Sequence, residues 1–375
     1  VIRWWRNDLG DDEIAAVAAA IRQRRLNYGP ECEAFEAALA RYLGVPYVIG
    51  TPSGSAALLL ALKACGVGPG DEVIVPALTF IAPAHAALWL GARVRLVDVS
   101  AGRPVVHPDD VQRAVTRHTR AIVCVHLNGR AVDIDAIRAS VGDRPVALIE
   151  DGAQALGSRN AGRFLGTLAD VGAFSLSISK LITTGEGGFV VTADEGRYRQ
   201  LAKLRNHGVL SLADNVFPEL GFNFRPTGLQ AAVGLAQLRK IDAKIAALRQ
   251  VYRRYQAMLD ALPSIRLLEV NLDSGEVPLW VEVLCAERDH VVRALQQRGI
   301  EAKPFHPCLS ESPHLHAAGD FPNARRFAAE GLILPCGPDQ RAADLGRVAD
   351  ALREICLEVT GTRKASVAAA GSGPV

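Results

Sequence analysis

The chain has 375 residues, of which 49% are hydrophobic and 22% charged, an ordinary globular balance. Its 42 Lys+Arg against 40 Asp+Glu give a net charge of +2, so no general attraction to nucleic acid or to an anionic membrane is expected. Seven cysteines without a CxxC pair, and no apolar run near the ~18 residues of a membrane span, argue against the common zinc and redox patterns and predict a soluble, cytoplasmic protein that needs no disulfides.

In chain order, Trp4 and Trp5 are expected to anchor an N-terminal arm. Asp11 and Asp12 precede a helical face of Ile14, Val17 and Ile21. Pro30 can start a second helix carrying Phe35, Leu39, Tyr42 and Leu43. Short apolar runs follow at 47–49, 73–75, 94–97, 122–125, 146–149, 172–174 and 189–191, with helical segments between them. Continuous β-branched runs flanked by Gly, Pro and Asp suit buried strands of a mostly parallel sheet. Their alternation with helices predicts an α/β layered domain.

The pattern from 227 to 262 is helical and long enough to predict a bend or break, with Leu238, Ile241, Ile245 and Leu248 on its core face and Lys240 and Lys244 on its solvated one. After Pro263 the signal changes to a strand at 279–284, a helix near 288–298, a Pro- and His-rich loop at 304–316, and helices near 322–331 and 341–358. The expected organisation is a large α/β domain over 1–250, a smaller C-terminal α+β domain over 251–358 and a disordered tail over 359–375. His314 and His316 have a metal-ligand spacing, but no carboxylate or thiol cluster completes a site, so no metal is expected.

Three segments carry chemistry. In FSLSISKLITTGEGG, residues 174–188, Lys180 lies between a strand end and a Gly-rich turn, among Ser and Thr. A lysine so placed can form a Schiff base, and burial would make its amine nucleophilic; the alternative is a solvated loop lysine. In ALIEDGAQALGS, residues 147–158, Glu150 and Asp151 end an apolar run, at the strand edge where open α/β sheets bind ligands. Asp151 could hold a pyridinium nitrogen protonated and Gln154 could donate to a ring oxygen, or the acid could simply cap the next helix. In TPSGSAALLLAL, residues 51–62, Ser53-Gly54-Ser55 opens an apolar helix whose free N–H groups make either an anion site or an ordinary cap.

These segments occur in order with PALTFIAPAHAALWLGARVRLVDV at 76–99, HLNGRAVDIDAI at 126–137, RNHG at 205–208 and GFNFRPTGLQAAVGLAQL at 221–238. From about residue 8 to 357 the chain resembles the DegT/DnrJ/StrS family of pyridoxal 5'-phosphate (PLP) enzymes of fold type I, which aminate keto-sugars. The resemblance implies a three-layer α/β fold and places Lys180 as the lysine that carries PLP, Asp151 opposite the pyridine nitrogen and Gln154 near the ring hydroxyl. It puts Phe80 against the ring, and Gly54, Ser55 and Ser175 around the phosphate. It implies a homodimer with shared active sites, in which Asn223 reaches the phosphate of the neighbouring subunit's cofactor; His207 and Arg225 take no firm role.

The implied reaction moves an amino group from L-glutamate or L-glutamine to a keto-sugar acceptor, most readily nucleotide-linked. Two departures lie where the acceptor should sit: Ser177 replaces a common His, and 302–315 is a poor match to a Tyr-rich substrate loop. They keep open a keto-cyclitol or another non-nucleotide carbohydrate as acceptor. The intact lysine, acid and phosphate turn argue against a non-catalytic PLP-binding regulator. A dinucleotide enzyme would need a GxGxxG after its first strand, and SGS is a poor substitute.

Overall fold

The structure, a computed structural model, describes residues 1–214 and 216–370. The first 192 residues supply strands β1 (Tyr47–Thr51), β2 (Glu72–Pro76), β3 (Arg93–Val97), β4 (Thr119–Val125), β5 (Ala147–Asp151), a short hairpin of β6 (Arg159–Asn160) and β7 (Arg163–Phe164), then β8 (Val171–Ser175) and β9 (Gly188–Thr192). Helices α1 (Asp11–Arg22), α2 (Pro30–Leu43), α3 (Gly54–Ala64), α4 (Ala82–Trp89), α5 (Pro108–Ala114), α6 (Ile134–Val141) and α7 (Glu195–Arg205) accompany them. Seven strands form one sheet in the order β1-β9-β8-β5-β4-β2-β3. Only β9 runs against its neighbours, β1 and β8; the other pairings are parallel. Every residue of β2 and β9 is buried, as the continuous apolar runs predict for a sheet covered on both faces.

The long helical pattern breaks at Lys240, which has φ −99° and ψ 4°, into α8 (Gly228–Arg239) and α9 (Ile241–Leu259). Beyond it, β10 (Arg266–Leu267), β11 (Val281–Leu284), β12 (Lys303–Pro304) and β13 (Gly331–Leu334) form an antiparallel sheet in the order β10-β11-β13-β12. Helices α10 (Arg288–Gln297), α11 (Pro322–Glu330) and α12 (Ala342–Ala370) complete the chain. Position 250, the expected domain boundary, lies inside α9, whose Leu248, Val251 and Tyr255 share a core with Val281 and Val283 of β11. Across the expected tail, α12 continues through Ala370, and 371–375 lie outside the described residues. Its last segment is rich in alanine, the best helix former.

Lys244 also differs. It is 2% exposed rather than solvated, and its Nζ donates to Asn7 Oδ1 at 2.9 Å, to the Asp8 carbonyl at 3.1 Å and to Gln237 Oε1 at 2.8 Å. Lys240 pairs with Glu13 at 2.9 Å. An arm laid along this side of the helix covers what periodicity alone assigns to water. No described helix is long and apolar enough to cross a membrane.

Alternation along β5 sends its last two acids to opposite faces. Glu150 is fully buried and accepts from the amides of Gly166 (2.8 Å), Leu168 (2.6 Å) and Ala169 (2.7 Å). His126 Nδ1 accepts from the Val132 amide at 3.1 Å, so the ring proton sits on Nε2, which donates to Glu150 at 2.9 Å. These bonds fix the strand end that carries Asp151. Glu150→Ala strands four donors, those of His126 and Gly166 buried and those of Leu168 and Ala169 half-buried, and should lower unfolding free energy in urea titrations by about 3–5 kcal/mol; a loss under about 1 kcal/mol would contradict this role.

Candidate active site

The sheet brings the site together at one edge. Asp151 ends β5 and pairs in register with Ala173 of the neighbouring parallel strand β8, which ends two residues later at Ser175. On the far side of β9, β1 leads into α3, where Ser53 caps the helix by accepting from the Ala56 amide at 3.1 Å. The Gly54 and Ser55 amides belong to the first turn, which has no intrahelical acceptors for them. Gly54 is required for packing: a Cβ there would lie 2.6 Å from Ser175 Cβ. The helix start and the β8 end are therefore in close contact, with N–H groups and hydroxyls together.

Lys180, Asp151, Gln154, Gly54, Ser55, Ser175 and Phe80 line one cavity of about 530 Å³. The lysine leaves a tight turn closed by its own N–H to the Ser177 carbonyl at 3.0 Å. Its Nζ lies 5.1 Å from the centre of the Trp280 ring. Burial lowers its pKa to about 8, against the opposing attraction of Asp151 and Glu186. Burial likewise raises the Asp151 pKa, offset by the Ala153 amide bonded to its Oδ1 at 3.0 Å and by the charge of Lys180. An amine that deprotonates near neutral pH beside a buried acid can exchange protons and attack a carbonyl.

Gln154 is oriented by its neighbours. Its Oε1 accepts from the Asn128 amide at 2.8 Å, so Nε2 must be the end that faces the cavity and His306, 3.3 Å away. As that amide nitrogen can only donate, His306 Nε2 accepts and its proton sits on Nδ1. Burial, with the charge of Lys180, lowers the His306 pKa to about 4, so the ring is neutral at neutral pH. Asn128 sits in a left-handed conformation at φ 53° and is fully buried. Its side chain exchanges two bonds with the Trp280 backbone, at 2.6 and 2.9 Å, fastening the small sheet to the cavity.

Trp4, Trp280, Lys303 and His306 also line the cavity, and none of them was singled out from the sequence as a site residue. The Pro- and His-rich loop was the one signal that pointed towards His306. Asn223 is not with the others. It lines a separate cavity of about 610 Å³ with Tyr28, Arg205 and Arg225, and its Oδ1 accepts from Arg225 Nε at 3.0 Å. His314 lies against His85, their Nε2 atoms 2.9 Å apart, and no group of three or more metal-ligating side chains occurs among the described residues.

The model of the DegT/DnrJ/EryC1/StrS aminotransferase family matches residues 7–353. The GDP-perosamine synthase of Caulobacter vibrioides is 38% identical over 332 residues, covering 86% of this chain and 89% of that protein. The dTDP-3-amino-3,4,6-trideoxy-alpha-D-glucose transaminase of Streptomyces venezuelae is 36% identical over 346 residues, 91% of each. Among solved structures, the aminotransferase TlmJ of Streptoalloteichus hindustanus superposes with a TM-score of 0.91 at 29% identity, covering 96% of this chain and all of that one. DesV of S. venezuelae gives a TM-score of 0.86 at 36% identity, with 92% and 94% covered.

The lowered Lys180 pKa has a measurable sign. Between about 8 and 10.5 the unfolded chain binds the lysine proton and the folded one does not, so stability of the cofactor-free protein rises with pH across that window and the benefit is absent below it. Lys244, also lowered to about 8 by burial, contributes in the same direction. Denaturant titrations at pH 8 and 10 should show a smaller rise for Lys180→Met than for the wild type. An unchanged rise would show that the amine is not buried in solution.

Proposed function

The chain belongs to the DegT/DnrJ/EryC1/StrS aminotransferase family, and from that premise we propose that it aminates a nucleotide-linked keto-sugar, drawing the amino group from L-glutamate or L-glutamine at a site shared by two copies of the chain. It is a PLP-dependent aminotransferase acting on keto-sugars. The observation that carries the residue assignment is the meeting of Lys180, Asp151, Gln154 and the first turn of α3 in one cavity.

The residues present fit PLP. The α3 amides and Ser175 would hold the phosphate, Asp151 the pyridine nitrogen, Gln154 Nε2 the ring hydroxyl and Phe80 one face of the ring. When bound, PLP supplies an electron sink for the bonds at the carbon that bears the amine. Asp151 would keep a positive charge on the ring nitrogen, and its burial would strengthen that attraction. Lys180 would hold the cofactor until the amino donor takes its place, and its freed amine would then serve as the group that takes up and returns a proton.

The outer half of the cavity supports a carbohydrate acceptor. Trp4, Phe80 and Trp280 offer aromatic faces, and neutral His306 offers a hydrogen bond without a charge. Lys303, at the same wall and 3.8 Å from the centre of the Trp4 ring, supplies a cation for a diphosphate. Asn223, facing a second cavity, and the exposed apolar run of Leu210, Leu212, Phe217, Leu220 and Phe222 support an assembly in which this segment is covered by another copy.

A panel of nucleotide-linked keto-sugars and free keto-cyclitols, scored by mass of the aminated product, tests the acceptor. Amination of the free carbohydrates alone would reject the nucleotide-linked reading. His306→Phe should raise the acceptor KM by about tenfold, the worth of one lost hydrogen bond, while the half-reaction with glutamate keeps its rate. For the shared site, Lys180→Ala and Asn223→Ala proteins refolded together should regain activity that neither has alone; mixed dimers without recovery would leave Asn223 outside the partner's site.

A further inference from the structure

The residues before α1 are remote in sequence from everything they touch. Ile2 pairs with Ile300 and Trp5 with Cys336, on the small sheet's side of the molecule. The Cys336 amide donates to the Trp4 carbonyl at 2.8 Å and the Arg6 amide to the Cys336 carbonyl at 3.0 Å. From that anchorage the arm also reaches the turn that follows β8, where two of its donors meet at one atom. The indole Nε1 of Trp5 and the amide Nδ2 of Asn7 both donate to the carbonyl oxygen of Ile178, each at 3.1 Å. Ile178 lies two residues before Lys180, inside the turn from which the lysine leaves.

Asn7 is itself held. Its Oδ1 accepts from the buried ammonium of Lys244 at 2.9 Å, which fixes the amide's orientation and aims Nδ2 at Ile178. The turn does not need the arm in order to close. It has its own bonds from Lys180 N–H to the Ser177 carbonyl at 3.0 Å, from Thr184 N–H to the Leu176 carbonyl at 2.9 Å and from Leu176 N–H to the Gly187 carbonyl at 2.8 Å. Two further donors converging on one carbonyl, from a segment more than 170 residues away, add constraint rather than closure.

We propose that the N-terminal arm positions Lys180, with Trp5 and Asn7 as positioning residues that fix the Ile178 carbonyl and hence the direction in which the lysine side chain leaves its turn, and with Lys244 setting Asn7. The inference rests on the reading that Lys180 carries the cofactor. It gives the arm two tasks at one place, since Trp4 walls the cavity while its neighbours brace the turn. A reacting amine displaced by a fraction of an ångström loses rate without losing its ligands.

The variants are Trp5→Phe, which keeps the ring and removes the donor, and Asn7→Ala. In the cofactor-free protein, hydrogen exchange of peptides covering 177–181 should accelerate at least about fivefold in both, with β8 and β9 unchanged. In the PLP-loaded protein, the pH midpoint of the cofactor's absorbance change should move by at least about 0.5 unit. The kcat should fall at least about fivefold, with KM for both substrates within about twofold. Unchanged exchange, midpoint and kcat, with only a lower melting temperature, would reduce the arm to a stitch between the sheets and overturn the proposal. Lys180→Ala is the control: if it keeps the wild-type absorbance titration, the assignment of the lysine fails, whatever the arm does.

Discussion

Two ionisable groups that share one cavity, the buried Asp151 and the half-buried Lys180, set the terms for what surrounds them. Each alone would be driven neutral by loss of water, the lysine downwards and the acid upwards in pKa, and each relieves the other by its charge. Such a pair is stable only where other bonds hold its members in place. The sheet provides this for the acid, through register with β8 and through Glu150, which takes four donors on the opposite face of the same strand end. The turn and the arm provide it for the lysine.

The small sheet reaches the site through Asn128, which binds Gln154 with its backbone and Trp280 with its side chain. The next residue, Gly129, has φ 77°, and a Cβ there would lie 2.0 Å from the Val277 carbonyl, so the segment preceding β11 packs directly onto this turn. Arg130 then pairs with Glu282 inside β11 at 2.5 Å, a fully buried contact. One short turn after β4 thus ties cofactor-side and acceptor-side residues together. This explains how a wall that carries Trp280 and His306 can be rigid although it lies in another part of the sequence.

Much of this was legible in the sequence. The apolar runs match all seven strands of the large sheet; six are buried over most of their length, and the edge strand β3, with Arg93 and Arg95 exposed, was found from its Val94, Leu96 and Val97. The sequence expectation put Lys180 after β8, Asp151 at the end of β5 with Gln154 just beyond it, and the SGS turn at the start of α3, and these residues line one cavity. Lys244 was not, since periodicity assigns a helix face but not what lies against it. Trp280, His306 and Trp4 were not, because their role arises only where the small sheet and the arm meet the large sheet. Asn223, expected at the phosphate of the neighbouring subunit's cofactor, lines a cavity separate from that of Lys180.

The central claim is that Lys180, opposed by Asp151, is the residue through which the protein holds its cofactor. Borohydride reduction of the PLP-loaded protein, followed by proteolysis and mass mapping, tests it directly. The account predicts one pyridoxyl group per chain, on Lys180 within 174–192, in both the wild type and Asp151→Asn, with activity lost in the latter. A label on Lys303 or Lys203, or an Asp151→Asn protein as active as the wild type, would contradict it.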